Sequence, residues 1–167
     1  MALVIDATVG GTSANSYATI AEIDEFVLSN PHDTTWDDVS DANKIGYAIF
    51  ATRVINERMA WYGWVAVQTQ ALDFPRGGIY DKNSYSISSS IVPIDIKNGQ
   101  SEMARLLVDR DRTADPDTKG YKEIYLGPIR LNIDKRDAPR ALPASVYNIL
   151  QWYGVRTTKR ARLLERV

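Results

Sequence analysis

The sequence QALDFPRGGIYD, residues 70–81, lies between two long helical patterns and has the densest turn chemistry in the chain. Pro75 fixes its own φ and favours an extended Phe74, and the paired glycines that begin at Gly77 permit a left-handed turn. We therefore expect a shaped structural loop in which Phe74 fills a core. In that loop, Arg76 either caps a helix end or pairs with the aspartate three residues before it.

Four segments around this loop have helical periodicity. They cover residues 19–29, 40–60, 93–110 and 143–153. Thr19 and Glu22 form a capping box at the start of the first, and proline suits the first turn of the third and fourth. Gly154 is placed to cap the last helix at its C-terminal end.

A hairpin near residues 121–134 is predicted by two short alternating segments joined through Gly127 and Pro128. The resulting fold class is mainly α, a bundle of about four helices with one β-hairpin and extended N- and C-terminal segments. We expect residues 1–154 to form a single helical domain and residues 155–167 to form a basic C-terminal tail.

Composition narrows the functional classes. The chain has 167 residues, 44% of them apolar, which suits one domain with a proper core. It has no cysteine, so disulfides and thiolate metal sites are excluded. Its apolar runs are far shorter than the roughly 20 residues of a membrane span, and we expect no membrane partner.

Charge is distributed unevenly. Residues 1–43 hold eight acids and no lysine or arginine, whereas residues 155–167 hold five bases and one acid. Both ends can be solvated surface, as charge runs usually are. They can also meet partners of opposite sign, including neighbouring copies of the same chain.

Catalytic motifs are missing from the sequence. His32 is the only histidine and sits beside a proline in a loop, which leaves a histidine base without an acid partner. No nucleophile-elbow, Walker or dinucleotide motif occurs. We expect no enzyme activity, no cofactor and no metal.

An aromatic cluster follows the second helix at Trp61, Tyr62 and Trp64. Its rings favour core and inter-helix packing, since each can bury about 150–250 Å². The alternative is a base-stacking platform, for which Arg53 and Arg58 are the nearest preceding cations.

Taken together in chain order, several motifs resemble the tailed-phage head-to-tail adaptor (connector) proteins, a group often labelled DnaT-like single-stranded DNA-binding proteins. The resemblance spans nearly the whole chain and rests on NSY at 15–17, WYG at 61–63, QALDFPR at 70–76, VP at 92–93 and LGPI at 126–129. Phe74 stands where tryptophan is common in that group, and the tail after Gly154 does not align.

The resemblance implies a structural virion protein that forms a dodecameric ring between the portal and the tail or neck completion protein. It would act at the head–tail interface of the virion, with passive contact to packaged DNA, after assembly in the host cytoplasm. The tail would dock on the portal through a set of bases and two apolar anchors: Arg156, Lys159, Arg160, Arg162, Leu163 and Leu164.

The alternative function is single-stranded DNA binding. In it, the three rings of the aromatic cluster stack bases while Arg53, Arg58 and Arg76 follow phosphates. The calculated pI of 5.8 disfavours this function, because nucleic-acid affinity usually comes with a basic footprint.

Overall fold

The architecture is described by a computed structural model covering residues 3–114, 123–126, 129–132 and 140–157. Its four helices are α1 (Ile20–Leu28), α2 (Asp41–Arg58), α3 (Ile94–Asp109) and α4 (Ala144–Leu150). α3 is central and packs against the other three. The mainly α expectation is confirmed. No helix in the described ranges has the length and apolarity to cross a bilayer.

The helix ends follow local chemistry. The capping box of Thr19 and Glu22 is present, with reciprocal bonds between each side chain and the other residue's backbone N–H. α2 ends two residues earlier than predicted because Met59 adopts an extended backbone. The prediction for Gly154 is wrong. α4 ends at Leu150 with Gln151 as its C-cap, and Gly154 belongs to a strand.

In the part of the chain that the structure describes, six short strands form three antiparallel pairs. They are β1 (Met59–Trp61) with β6 (Gly154–Arg156), β2 (Trp64–Val65) with β3 (Arg76–Gly77), and β4 (Glu123–Leu126) with β5 (Ile129–Asn132). The last pair confirms the predicted hairpin, although its remaining residues, including Gly127 and Pro128, lie outside the described ranges. The first two pairs were not predicted.

Phe74 is a hub of the core and is only 1% exposed. Its ring meets three others edge to face, at centroid distances of 4.9 Å to Trp61, 6.0 Å to Tyr17 and 6.5 Å to Tyr153. The Phe74–Pro75 peptide bond is cis. Phe74 thus joins the N-terminal segment, β1 and the chain after α4, as its expected core position required.

A buried amide ties the N-terminal segment to the helices. Gln100 of α3 is completely buried, and its side-chain oxygen accepts the backbone N–H groups of Tyr17 and Ala18 at 2.9 and 3.0 Å. Its amide nitrogen donates to the Ser16 hydroxyl at 2.6 Å and to the Ala48 carbonyl at 3.1 Å. All four hydrogen-bonding positions of the amide are used, which fixes the path of residues 16–18.

Candidate functional site: an exposed aromatic edge

The most conspicuous apolar surface follows α2 and β1. Both residues of β2 are exposed, and Trp64 keeps 66% of its surface accessible. Tyr62 and Val67, on either side of β2, are exposed too. We call Tyr62, Trp64, Val65 and Val67 the aromatic edge. Several exposed apolar side chains within one short segment are typical of interaction surfaces.

The Trp64 ring lies across two glycines of the central loop. A Cβ on Gly77 would lie 2.8 Å from its Nε1, and a Cβ on Gly78 would lie 2.3 Å from its Cζ3. Gly78 also has a φ of +71°, which residues with a Cβ rarely adopt. The paired glycines therefore give the indole a flat backbone seat on one face while the rest of the ring meets solvent.

Arg76 holds the turn before β2 in place. Its Nε donates to the Tyr62 carbonyl at 2.7 Å, and its terminal nitrogens donate to the Gly63 carbonyl at 2.9 Å and the Asp73 carbonyl at 3.3 Å. The predicted pairing with Asp73 is present, at 3.9 Å between Nη1 and Oδ1. The guanidinium is committed to backbone carbonyls and one carboxylate, which leaves little of it to follow phosphates.

Asp73 is half-buried beside the Arg76 side chain. Burial raises the pKa of its carboxyl above the usual range, against the opposing effects of the Arg76 guanidinium and the Trp61 indole N–H. Burial, with a smaller contribution from the Asp73 carboxylate, raises the pKa of Tyr17, whose hydroxyl donates to Asn56 at 2.6 Å. This acid serves the loop's internal structure.

The residues predicted as a stacking platform are separated by the structure. Trp61 is half-buried against Phe74, whereas Tyr62 and Trp64 face solvent. Arg53 is exposed on α2 with its guanidinium 4.8 Å from the Phe50 ring, and Arg58 is exposed at the end of α2. Core packing therefore accounts for one ring of the cluster and leaves two available to a partner.

Only one of the predicted portal-docking residues lies in the described ranges. Arg156 belongs to β6, where it pairs with Met59, and its guanidinium lies 4.2 Å from the Tyr147 ring. Lys159, Arg160, Arg162, Leu163 and Leu164 lie outside those ranges. The strand keeps residues 154–156 within the folded domain, so a separate tail can begin only after them.

The acidic N-terminal part of the chain is partly neutralised internally. Glu22 pairs with Lys97 and Asp24 with Lys44. Asp33 is paired with Arg105 at 2.8 Å. By contrast, three exposed acids at the start of α2 form no salt bridge within the described ranges: Asp37, Asp38 and Asp41. We call these three the acidic end.

The fold and this surface define a small, mainly α domain whose most prominent feature is an exposed aromatic edge. No three His, Asp or Glu side chains in the described ranges group as metal ligands. Residues 1–164 match the family described as "Putative DnaT-like ssDNA binding protein", and the chain belongs to this family. No curated protein and no solved structure matches the chain.

Sequence reasoning located Phe74, the Arg76–Asp73 pair and the left-handed glycine turn, which is present at Gly78. It missed the role of Gln100 and the packing of Trp64 on the paired glycines. Gln100 falls on the buried face of α3 in the sequence pattern, and a polar residue there was the available signal. Its partners lie more than 50 residues away, so their identity needed the fold.

Proposed function

We propose that this protein is a structural adaptor of a tailed-phage head–tail junction, acting as an oligomeric ring between the portal and the tail or neck proteins. The four helices would form the bundle that is the body of each subunit. Support for this class comes from the motifs that resemble the adaptor proteins and run through nearly the whole chain.

The observation that carries the proposal is that the motif residues make internal contacts, while other residues form the exposed surface. Ser16 and Tyr17 are tied to Gln100, Phe74 is the aromatic hub, and Arg76 clamps a turn. All of them build a rigid scaffold. What the domain offers to its surroundings is an exposed aromatic edge and an unneutralised acidic end, as suits a protein whose task is to bind other proteins.

The portal-docking role is proposed for the residues that follow β6. Lys159, Arg160 and Arg162 would supply charge and Leu163 and Leu164 apolar anchors. Arg156, which was also predicted to dock on the portal, lies in β6 just before these residues. In this proposal its stacking on Tyr147 holds the start of the tail against α4.

The proposal is tested by mixing the purified protein with the portal ring of the same genome and imaging the product by electron microscopy. We expect a closed ring added to the tail-facing end of the portal. Portals that remain bare at saturating protein, with the protein folded by circular dichroism, would overturn the proposal.

Single-stranded DNA binding is the second candidate, favoured by the family's description and by the exposure of Tyr62 and Trp64. Base stacking is worth about 1–3 kcal/mol per ring, and phosphate contact weakens steeply with salt. Fluorescence anisotropy with labelled oligonucleotides at two salt concentrations measures both. Tight, salt-sensitive binding that is lost in Tyr62→Ala/Trp64→Ala would support this candidate, with Tyr85→Ala, an exposed tyrosine elsewhere, as the control.

A further inference from the structure

The composition of the aromatic edge favours a protein partner over nucleic acid. Two of its four members, Val65 and Val67, follow the rings in the chain and have β-branched side chains with no planar face for a base. The nearest cation by contact, Arg76, is committed to three backbone carbonyls. An apolar centre without free charge within it is the composition of a protein–protein interface.

Positive charge precedes this edge in the chain. Arg58 is the last residue of α2, and β1 runs from it directly to Tyr62. Arg53 lies one and a half turns earlier on the same helix, and both arginines are exposed, outnumbering the one acid between them, Glu57. The backbone N–H of Thr157 donates to the Arg58 carbonyl at 2.9 Å, so the described chain reaches residue 157 beside the end of α2. We call Arg53 and Arg58 the basic flank.

The opposite charge lies at the other end of the same helix. Asp41 is the first residue of α2, and Asp37 and Asp38 lie in the connection just before it. The 18 residues of α2 separate this acidic end from the basic flank by roughly 26 Å at 1.5 Å per residue. At that distance the two groups cannot pair within one copy.

The acidic end also has apolar surface of its own. Leu28, at the end of α1, is exposed, as is Pro31 in the connection to α2. Each end of α2 therefore has exposed apolar residues near it in the chain and charges that find no ion-pair partner within the described ranges, and the charges of the two ends are opposite. Surfaces with an apolar centre and a complementary charged rim match across interfaces.

From this complementarity we propose that the aromatic edge with its basic flank is the docking site for the acidic end of a second copy of this chain. The contact is head to tail, joining different surfaces on the two copies. Repeated from copy to copy, it closes into a ring when its rotation divides the circle. The inference rests on the proposed function and assigns the subunit interface of that ring.

Complementary charge reversal tests the contact. One variant carries Asp37→Lys, Asp38→Lys and Asp41→Lys, and the other carries Arg53→Glu and Arg58→Glu. Either variant alone brings like charges together at every contact, which should lower the fraction of portals carrying a ring at least about tenfold. An equimolar mixture can alternate the two variants, restoring attraction throughout any ring with an even number of subunits. Lys82→Glu/Arg140→Glu, a charge reversal outside both surfaces, should assemble normally.

A covalent probe covers the case in which a charge variant folds poorly. The chain has no cysteine, so Asp38→Cys and Val65→Cys introduce the only two thiols. They lie too far apart for a bridge within one copy, since disulfides need Cα atoms within about 7 Å. Oxidation or a short bis-maleimide should therefore give a ladder of covalent oligomers from portal-bound rings. Lys82→Cys with Val65→Cys is the matched control and should give none.

The outcomes separate this inference from the proposed function. If wild-type protein adds no ring to the portal, the adaptor proposal fails and the interface assignment fails with it. If wild-type rings form but both charge variants also assemble alone, or no ladder appears, the interface assignment is wrong and the adaptor function stands. Rescue by mixing together with a ladder supports both.

Discussion

Arg76 illustrates how much one side chain does in this loop. Its planar fork reaches the carbonyls of Tyr62, Gly63 and Asp73, a geometry that a lysine cannot reproduce. We expect Arg76→Lys to lower the free energy of unfolding by about 1–3 kcal/mol, since bonds to a charged donor are lost. Urea denaturation measures it. Arg53→Lys, at an exposed position, should change stability by less than about 0.5 kcal/mol.

The stability of Arg76→Lys also tests the alternative in which Arg76 contacts the phosphates of single-stranded DNA. If Arg76 contacted phosphates, Arg76→Lys would keep the charge and most of the affinity for oligonucleotides while costing little stability. A stability loss near zero would contradict the clamp that the structure describes.

A pH dependence is predicted at Asp33. Burial alone would raise the pKa of this carboxyl, but hydrogen bonds from Arg105 and Thr35 hold it below its usual range. An acid with a lowered folded pKa stabilises the fold above its unfolded pKa, about 4, and loses that contribution as pH falls through the folded value. Asp33→Asn should therefore cost about 1–3 kcal/mol near pH 7 and progressively less well below pH 4.

Unfolding free energies of wild type and Asp33→Asn across this pH range provide the test. Asp37→Asn is the matched control, an exposed aspartate without a salt bridge in the described ranges. A difference for Asp33→Asn that stays constant down to the lowest pH would show that its charge is not what stabilises the fold.

At the scale of the element, two helical glycines have opposite expected effects. A Cβ on Gly99 of α3 would lie 2.5 Å from Cδ2 of Leu150, which is completely buried on α4. A Cβ on Gly46 of α2 would meet no atom within 4 Å. Gly99→Ala should destabilise by about 1–3 kcal/mol through overpacking, although alanine is the better helix former. Gly46→Ala should stabilise by about 0.5–1 kcal/mol. Thermal or urea unfolding of the two variants gives the sign directly, and stabilisation by both would mean that α4 does not pack closely on α3.

The elements were predictable from sequence where their signals are local. The capping box at Thr19 and the proline at Pro93 mark the starts of α1 and α3 within a residue. The pairing of β1 with β6 was not predictable, because its partners lie more than 90 residues apart in the chain and each strand is only three residues long. β1 begins at Met59, directly after α2, which explains why α2 was predicted too long.

The candidate site, too, was predictable from sequence only where its signals are local. Phe74 and the Arg76–Asp73 pair follow from residue type and short spacing. Trp61 and Trp64 are the same residue three positions apart, and only the contacts of β1 and β2 decide that the first packs on Phe74 and the second stays exposed. Composition indicated an aromatic cluster but could not show which of its rings are buried and which are exposed.

At the scale of the whole molecule, the boundary between domain and tail can be tested by truncation. Removing residues 158–167 leaves β6 paired with β1, so the free energy of unfolding should stay within about 0.5 kcal/mol of wild type. Removing residues 154–167 also deletes β6, its backbone bonds to β1 and the Arg156 contact with Tyr147. This longer truncation should cost roughly 2–4 kcal/mol.

The shorter truncation then isolates docking from folding. If the basic and apolar residues after Thr157 hold the portal, the truncated domain should melt like wild type yet leave portals bare in electron micrographs. Replacing residues 158–167 by a Gly-Ser segment of equal length is the control for chain length, and it should fail in the same way. If the folded, truncated domain still adds a complete ring, the tail is not required for docking on the portal. The exposed ends of α2 would then be sufficient to hold the subunits of the ring together.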